Sequence, residues 1–461
     1  MARRFWRLGL SMGVLGVSLA GRAEPPDSLR VANRWLGRER FPIRVRSVFM
    51  ATDNKTGLTD SYAWGVGVGL GYQTPVFFRH LQLGGTVFVS KNLLSSDLAT
   101  RDPLTNQPNR YEAALFDLRQ PGSHRLMHRM ESLYAQWRFG PKGSLTVGRQ
   151  LPRSPFINPQ DGRLAPTMVE GLVGQYDLTP NTRIQVEYLW RMGPRSTLGW
   201  YGIGQSVGQH GVGVDAEGRA SQYAGNTRSG HIVQLGFTHK IGPVVVQLWD
   251  TRVANLFNMS YLRADANLPA GGKRGILLGI QAARQWAVGE GGNPEPAKAY
   301  IPPGSRSLTV SGRVGYQTPR WTAHLNATRI TAEGRFLMPR EWGRDPWYTF
   351  LTRERSEGTG DMTALSANVI LTPGTRFRAE VGAGYYHLPD VKRYRHNKYG
   401  LPAYSQVNLN LNYAFAGQLN GLETGVLWVY KGAQGPTYNN LRYVYNRVDM
   451  SQFNVLINYH L

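Results

Sequence analysis

The sequence predicts an all-β chain that closes as a transmembrane antiparallel β-barrel, and three observations predict it. Apolar and polar residues alternate with period 2 across segments of about ten residues, the length a tilted strand needs to cross bilayer hydrocarbon. Past the N-terminal leader no window offers ~18 consecutive apolar residues, so no helical span is expected. Mean hydropathy is only −0.36, although 11% of the residues are aromatic and 54 are Gly. A helical membrane protein would be more apolar on average, whereas a barrel hides its apolarity by alternation.

The first 23 residues read as an export signal: Arg3, Arg4 and Arg7 precede an apolar, Gly-rich stretch from Leu8 to Ala20, and small residues follow up to Ala23. A mature chain is expected from Glu24, with residues 24–41 a short periplasmic segment and residues 42–461 the barrel. The clearest strand pattern is Val407, Leu409, Leu411, Tyr413 and Phe415 alternating with Asn408, Asn410, Asn412 and Ala414. One face suits lipid and the other water. Trp64, Val66, Val68, Leu70 and Tyr72 alternate with glycines, and Ile184, Val186, Tyr188 and Trp190 with Arg183, Gln185 and Glu187. A last strand puts Phe453, Val455, Ile457, Tyr459 and Leu461 on one face.

Short and long connections alternate, as tight periplasmic turns and extended extracellular loops require. Short ones fall at 73–80, 140–143, 178–182, 241–243, 267–273, 317–320, 372–375 and 416–420, mostly with Gly or Pro. These eight hairpins, a first strand near 43–50 and a last near 450–461 make eighteen strands. The segments 255–265 and 275–286 are the least regular, which leaves sixteen as the alternative count. The long loops are 92–129, 151–170, 192–229, 288–305, 331–360, 387–403 and 432–447.

The formal charge is +23, and the four arginines of the leader leave +19 on the chain from residue 24 onward. In a cytosolic protein such an excess points to nucleic acid; an exported chain meets anionic solutes and lipid phosphates instead, so no nucleic-acid partner is expected. The absence of Cys removes disulfides and thiolate metal sites. A closed hydrogen-bonded sheet supplies stability without them.

Fixed positive charges in a narrow lumen lower the barrier for an anion and raise it for a cation. Alternation turns Arg44 and Arg46 away from Ile43 and Val45, Arg138 from Trp137 and Phe139, Arg183 from Ile184, and Arg376 and Arg378 from Phe377; Arg313 shares the polar face of its strand. These seven are the candidate pore-lining residues. The plainer role for any one of them is a solvated lumen residue paired with an acid such as Glu187 or Glu380.

The order of several short blocks resembles the OprD-type porins. The opening block runs over 44–98, with Met50-Ala51-Thr52-Asp53-Asn54, Gly71-Tyr72-Gln73-Thr74-Pro75 and the Ser-Lys-Asn-Leu-Leu-Ser-Ser-Asp of 90–97. Gly148-Arg149-Gln150, then Pro155 and the Asp-Gly-Arg-Leu-Ala-Pro-Thr of 161–167, continue it, as do Gln247-Leu248-Trp249-Asp250, 255–265 and the C-terminal 450–461. The resemblance implies an eighteen-stranded monomeric barrel, a constriction shaped by inward-folded loops, and a row of basic residues guiding carboxylate-bearing solutes. It places the constriction on the third loop, which is 151–170 when the connection at 52–60 is counted, and there Arg153, Asp161, Arg163 and Glu170 are the candidates. Mixed charges there would set up a transverse field.

Other motifs carry less. Trp137, Trp190 and Trp428 fall on apolar faces, which suits interfacial girdles rather than a sugar-stacking slide. Gly204-Gln205-Ser206-Val207-Gly208 matches a hydrolase nucleophile elbow but lacks the strand before and helix after it. His124 and His128 have metal-pair spacing without a third ligand. The expectation is a passive outer-membrane porin for small anionic solutes, without cofactor, metal or catalytic residues. Its partners are those solutes, outer-membrane lipid and lipopolysaccharide, and it is a monomer, with a trimer as the alternative. An adhesion or assembly barrel acting through its outer loops, or a barrel hydrolase, is the rival.

Overall fold

The computed structural model describes residues 41–160 and 162–461. The expected export signal, nearly all of the expected periplasmic segment, and Asp161 lie outside the described residues. Eighteen long strands form one sheet: β1 (Ile43–Asp53), β2 (Ser61–Gln73), β3 (Leu81–Ser95), β4 (Met127–Arg138), β5 (Gly143–Gln150), β6 (Met168–Thr179), β7 (Thr182–Gly193), β8 (Ile232–Ile241), β9 (Val244–Val253), β10 (Phe257–Pro269), β11 (Gly275–Ala287), β12 (Arg306–Gln317), β13 (Trp321–Ile330), β14 (Met362–Leu371), β15 (Phe377–His387), β16 (Tyr404–Ala414), β17 (Leu422–Ala433) and β18 (Met450–His460). Each pairs antiparallel with its sequence neighbour, and β18 returns to β1 from Arg44↔His460 to Asp53↔Ser451. The ring has no free edge, so every spanning backbone group finds its partner inside the sheet.

The sixteen-strand alternative therefore falls. The two least regular segments form β10 and β11, which pair along their whole length from Phe257↔Ala287 to Pro269↔Gly275. All eight short connections lie at the end where Ile43 meets Leu461, and the long ones lie at the other. A two-residue bridge strand, Tyr201–Gly202, pairs with the end of β7 inside a long loop.

The alternation read from sequence divides the two faces. Leu133, Val186, Leu235, Val314, Leu325, Val381 and Trp428 point outward and are exposed. In water such a continuous apolar band would drive aggregation; on a barrel it is the surface that meets lipid. The inner face is polar or small except where loops pack on it, and long loops fold down into the space it leaves. Gly67 leaves room for the Phe88 ring, and Gly65 for Phe116 and Leu164 from two loops, so that a Cβ at either glycine would collide with them. The main apolar core thus sits inside the barrel, between loop residues such as Phe156, Phe336, Trp342 and Trp347 and wall residues such as Trp249, Tyr261 and Tyr386.

Candidate functional site in the lumen

Three loops interlock within the barrel. Asn158 of the 151–167 loop donates from its side chain to the Arg344 carbonyl at 3.0 Å and accepts from the Arg344 amide at 3.1 Å, while Thr167 donates to the Glu341 carbonyl at 2.8 Å. The Glu341 carboxylate in turn accepts the Gly208 and Gln209 amides of the 194–231 loop. Arg129 of β4, only 3% exposed, holds the first and last of these to the wall. Its guanidinium donates to the carbonyls of Pro166 at 2.8 Å, Pro194 at 3.2 Å and Thr197 at 3.4 Å.

What the loops leave open is one continuous cavity of about 2720 Å³. It runs from the turn residues Pro319 and Pro373 to Arg101 and Tyr443 of the outer loops. Among the described residues eighteen arginines and lysines line it, against the five carboxylates Asp265, Asp345, Glu354, Glu380 and Glu423.

All seven arginines proposed from alternation stand on the inner side of the wall or at its turn, but they divide. Arg46, Arg313, Arg376 and Arg378 line the cavity. Arg313 meets Asp265 at 2.7 Å with the Tyr348 ring 4.6 Å away, and Arg378 meets Glu380 at 2.9 Å. Arg44 is turned into the wall, where it pairs with Glu131 at 2.9 Å beneath the Phe88 ring. Arg138 donates to Gln82 at 2.5 Å, and Arg183 grips Asp177 at 2.6 and 3.0 Å near the periplasmic turn. None of these three lines the cavity.

In the third loop, Arg153 and Arg163 reach the cavity. Glu170 does not: it belongs to β6, and a bulge between Glu170 and Gly171 leaves it beside Arg149 at 2.9 Å and under the Trp190 indole at 3.0 Å. Its expected place in the constriction is corrected to the barrel wall. Behind Arg153, both carboxylate oxygens of Glu187 are buried without a hydrogen bond.

The strongest concentration of charge joins Arg163, a candidate from the third loop, to four loop arginines that the sequence pattern did not single out. Arg110, Arg163, Arg195, Arg353 and Arg355 act on one another electrostatically. Arg163 donates to the Gly162 carbonyl at 2.9 Å, Arg195 to the Arg340 carbonyl at 3.4 Å, and Arg353 to the side-chain oxygens of Gln452 and Asn454 at 2.6 and 2.8 Å. None of these three has an acid at ion-pair distance among the described residues. Burial, and then the neighbouring Arg353 and Arg195, hold Arg163 well below the ordinary arginine value. Burial lowers Arg353 to about 10. Beside them, burial and then Arg195 hold His210 well below the ordinary imidazole value. Mutual depression of this kind marks a place short of counter-charge among the described residues. The one sequence signal was density: the 331–360 loop alone holds five arginines, but no periodicity says which way they turn.

The remaining motifs resolve structurally. Ser206 is fully buried at the end of a single helical turn, donating to the Ile203 carbonyl and accepting the Trp342 indole at 2.7 Å. It braces a loop. His124 bonds the Asn92 carbonyl at 3.1 Å, His128 faces outward, and no group of three metal-ligating residues forms among the described residues.

No protein-family model matches the sequence, and neither does any curated protein. Solved structures do match the fold. Acinetobacter baumannii OccAB3 superposes with a TM-score of 0.70 at 13% identity, covering 91% of this chain and 98% of that one. Pseudomonas aeruginosa OccK9 (OpdG) gives 0.69 at 13% identity over 91% and 97%. Pseudomonas aeruginosa OpdK with vanillate gives 0.65 at 15% identity over 91% and 98%. The chain has the closed eighteen-stranded barrel fold of the OprD/Occ-type porins.

Proposed function

We propose that this chain is an outer-membrane diffusion channel that prefers small anionic, carboxylate-bearing solutes. The observation that carries the reading is the cavity lining, with eighteen cationic side chains against five carboxylates. Selectivity arises where the three interlocked loops narrow the lumen and set Arg163, Arg195 and Arg353 without an ion-paired acid among the described residues. There a carboxylate exchanges hydration for guanidinium contacts, while a cation meets uncompensated positive charge. Transport is passive, driven by the solute gradient. The vanillate bound by OpdK, an aromatic carboxylate, agrees in chemistry with such a lumen.

The test is swelling of liposomes that hold the refolded barrel. Monocarboxylates should enter several times faster than amines of equal size. Equal rates would remove the anionic preference, and no swelling from a folded barrel would remove the channel itself.

A further inference from the structure

The outside of the barrel carries a charged arrangement that the lumen does not use. On β9–β13 the outward side chains Leu248, Leu262, Ile280, Val310 and Leu325 are all exposed, and the band is interrupted only below Arg252, where the Asp250 carboxylate is taken up by Asn258 and Ser260. At the last step before the outer loops the same faces turn basic. Arg252 lies opposite Asn258, Asn258 opposite Trp286, and Trp286 opposite Arg306. Arg252 and Arg306 therefore share one rung, three strand spacings or about 14 Å apart. Arg284 and Arg329 flank them. Arg284 is neutralised by Glu333 at 2.6 Å and Arg329 by Asp361; Arg252 and Arg306 are exposed and have no acid at ion-pair distance among the described residues, although Glu333 also acts on Arg306 from further away. The outer faces of β3, β5 and β7 carry Lys91, Arg149 and Arg191 near the same end, the latter two beside Glu170, while β14–β16 and β18 carry no such charge. Thr363, His387, Ser405 and Ser451 occupy the corresponding outer positions of β14, β15, β16 and β18, with no arginine or lysine.

A dissolved anion gains nothing from an apolar band below its site, whereas a lipid covers the band with its chains and brings its headgroup to the rung above. Guanidinium is the side chain that pairs best with phosphate, and the Trp286 ring between the two arginines suits the interface. We propose that the outer rim of β9–β13 binds a phosphorylated lipid headgroup, with phosphate at Arg252 and Arg306 and acyl chains on the apolar band. This inference rests on the reading of the chain as a membrane barrel, but not on its conducting.

The experiment uses the full refolded chain in a zwitterionic detergent, with diphosphoryl lipid A and its fully dephosphorylated form as probes and native mass spectrometry as the readout. The phosphorylated lipid should bind at least tenfold more tightly, inorganic phosphate at equal concentration should not compete, and Arg252→Gln with Arg306→Gln should weaken binding about tenfold. Lys142→Gln, in a periplasmic turn, should leave binding unchanged. Equal binding of the two lipids by the unmodified chain, or full binding by the double variant, would overturn the proposal; competition by inorganic phosphate would replace it with a free-anion site. A barrel that shows phosphate-dependent lipid binding without conductance supports this inference while removing the channel reading. A conducting barrel with no such binding does the reverse.

Discussion

Arg44 and Glu131 meet at 2.9 Å with both side chains about 95% buried, whereas Arg163, equally enclosed, is held by the carbonyl of Gly162. The first guanidinium has a paired carboxylate and the second has none at ion-pair distance among the described residues, so the same substitution should act differently on each. Arg44→Met strands a buried carboxylate and is expected to cost about 3–5 kcal/mol, read by urea unfolding in lipid vesicles, with unchanged ion selectivity. Arg163→Gln with Arg353→Gln relieves repulsion inside the loops. It should leave the barrel ladder intact while lowering the anion-to-cation permeability ratio; about 1 kcal/mol for a charge a few ångströms from the ion's path is roughly fivefold, measured from reversal potentials. Lys398 gives the pH dependence. Burial among Tyr223, Tyr300 and Tyr399 lowers it to about 8, so it is charged below that pH and neutral above. Burial and Asp345 raise Glu354, which gains its negative charge only as pH rises. Both changes subtract positive charge from the lumen lining, and anion preference should fall between pH 7 and 9. At this scale the sequence showed which face each wall arginine takes but not its partner: Asp177 claims Arg183 and Glu131 claims Arg44 through contacts between strands that no local pattern records.

Strands and loops differed in legibility for a physical reason. A strand with lipid on one side and polar groups on the other writes its orientation every second residue, which is why β16 and β18 could be read directly and the eighteen-strand count followed from turns. The bulge at Glu170 broke that rhythm, and with it the placement of Glu170. The loops follow distant partners, as when Asn158 bonds Arg344 and Ser206 bonds Trp342, more than 130 residues away. Arg129 is the element-scale test of that scaffold. Arg129→Leu would leave the carbonyls of Pro166, Pro194 and Thr197 without their buried donor, about 1–3 kcal/mol for each group that water does not reach. The β-barrel should still fold, because its ladder is untouched, but the loops should loosen. Single-channel records should become noisier, and larger solutes should enter in liposome swelling; quiet records with an unchanged size limit would show that the loops are held elsewhere.

For the whole molecule, the ordering of faces is inverted relative to a soluble protein, with apolar side chains outside and charge within. Leu325, in the middle of β13 and 61% exposed, distinguishes the two arrangements. Leu325→Arg should destabilise the barrel by about 2–4 kcal/mol when folded in a bilayer, an effect that a water-exposed leucine would not give. Eighteen of the basic side chains line the lumen cavity among the described residues, and the proposed function rests on them. The decisive measurement is the reversal potential of single channels of the refolded chain in a planar bilayer under a salt gradient. A steady conductance with a potential of the sign for anion preference, reduced in the Arg163→Gln, Arg353→Gln chain, is predicted; cation preference, or no conductance from a barrel shown to be folded, would contradict it.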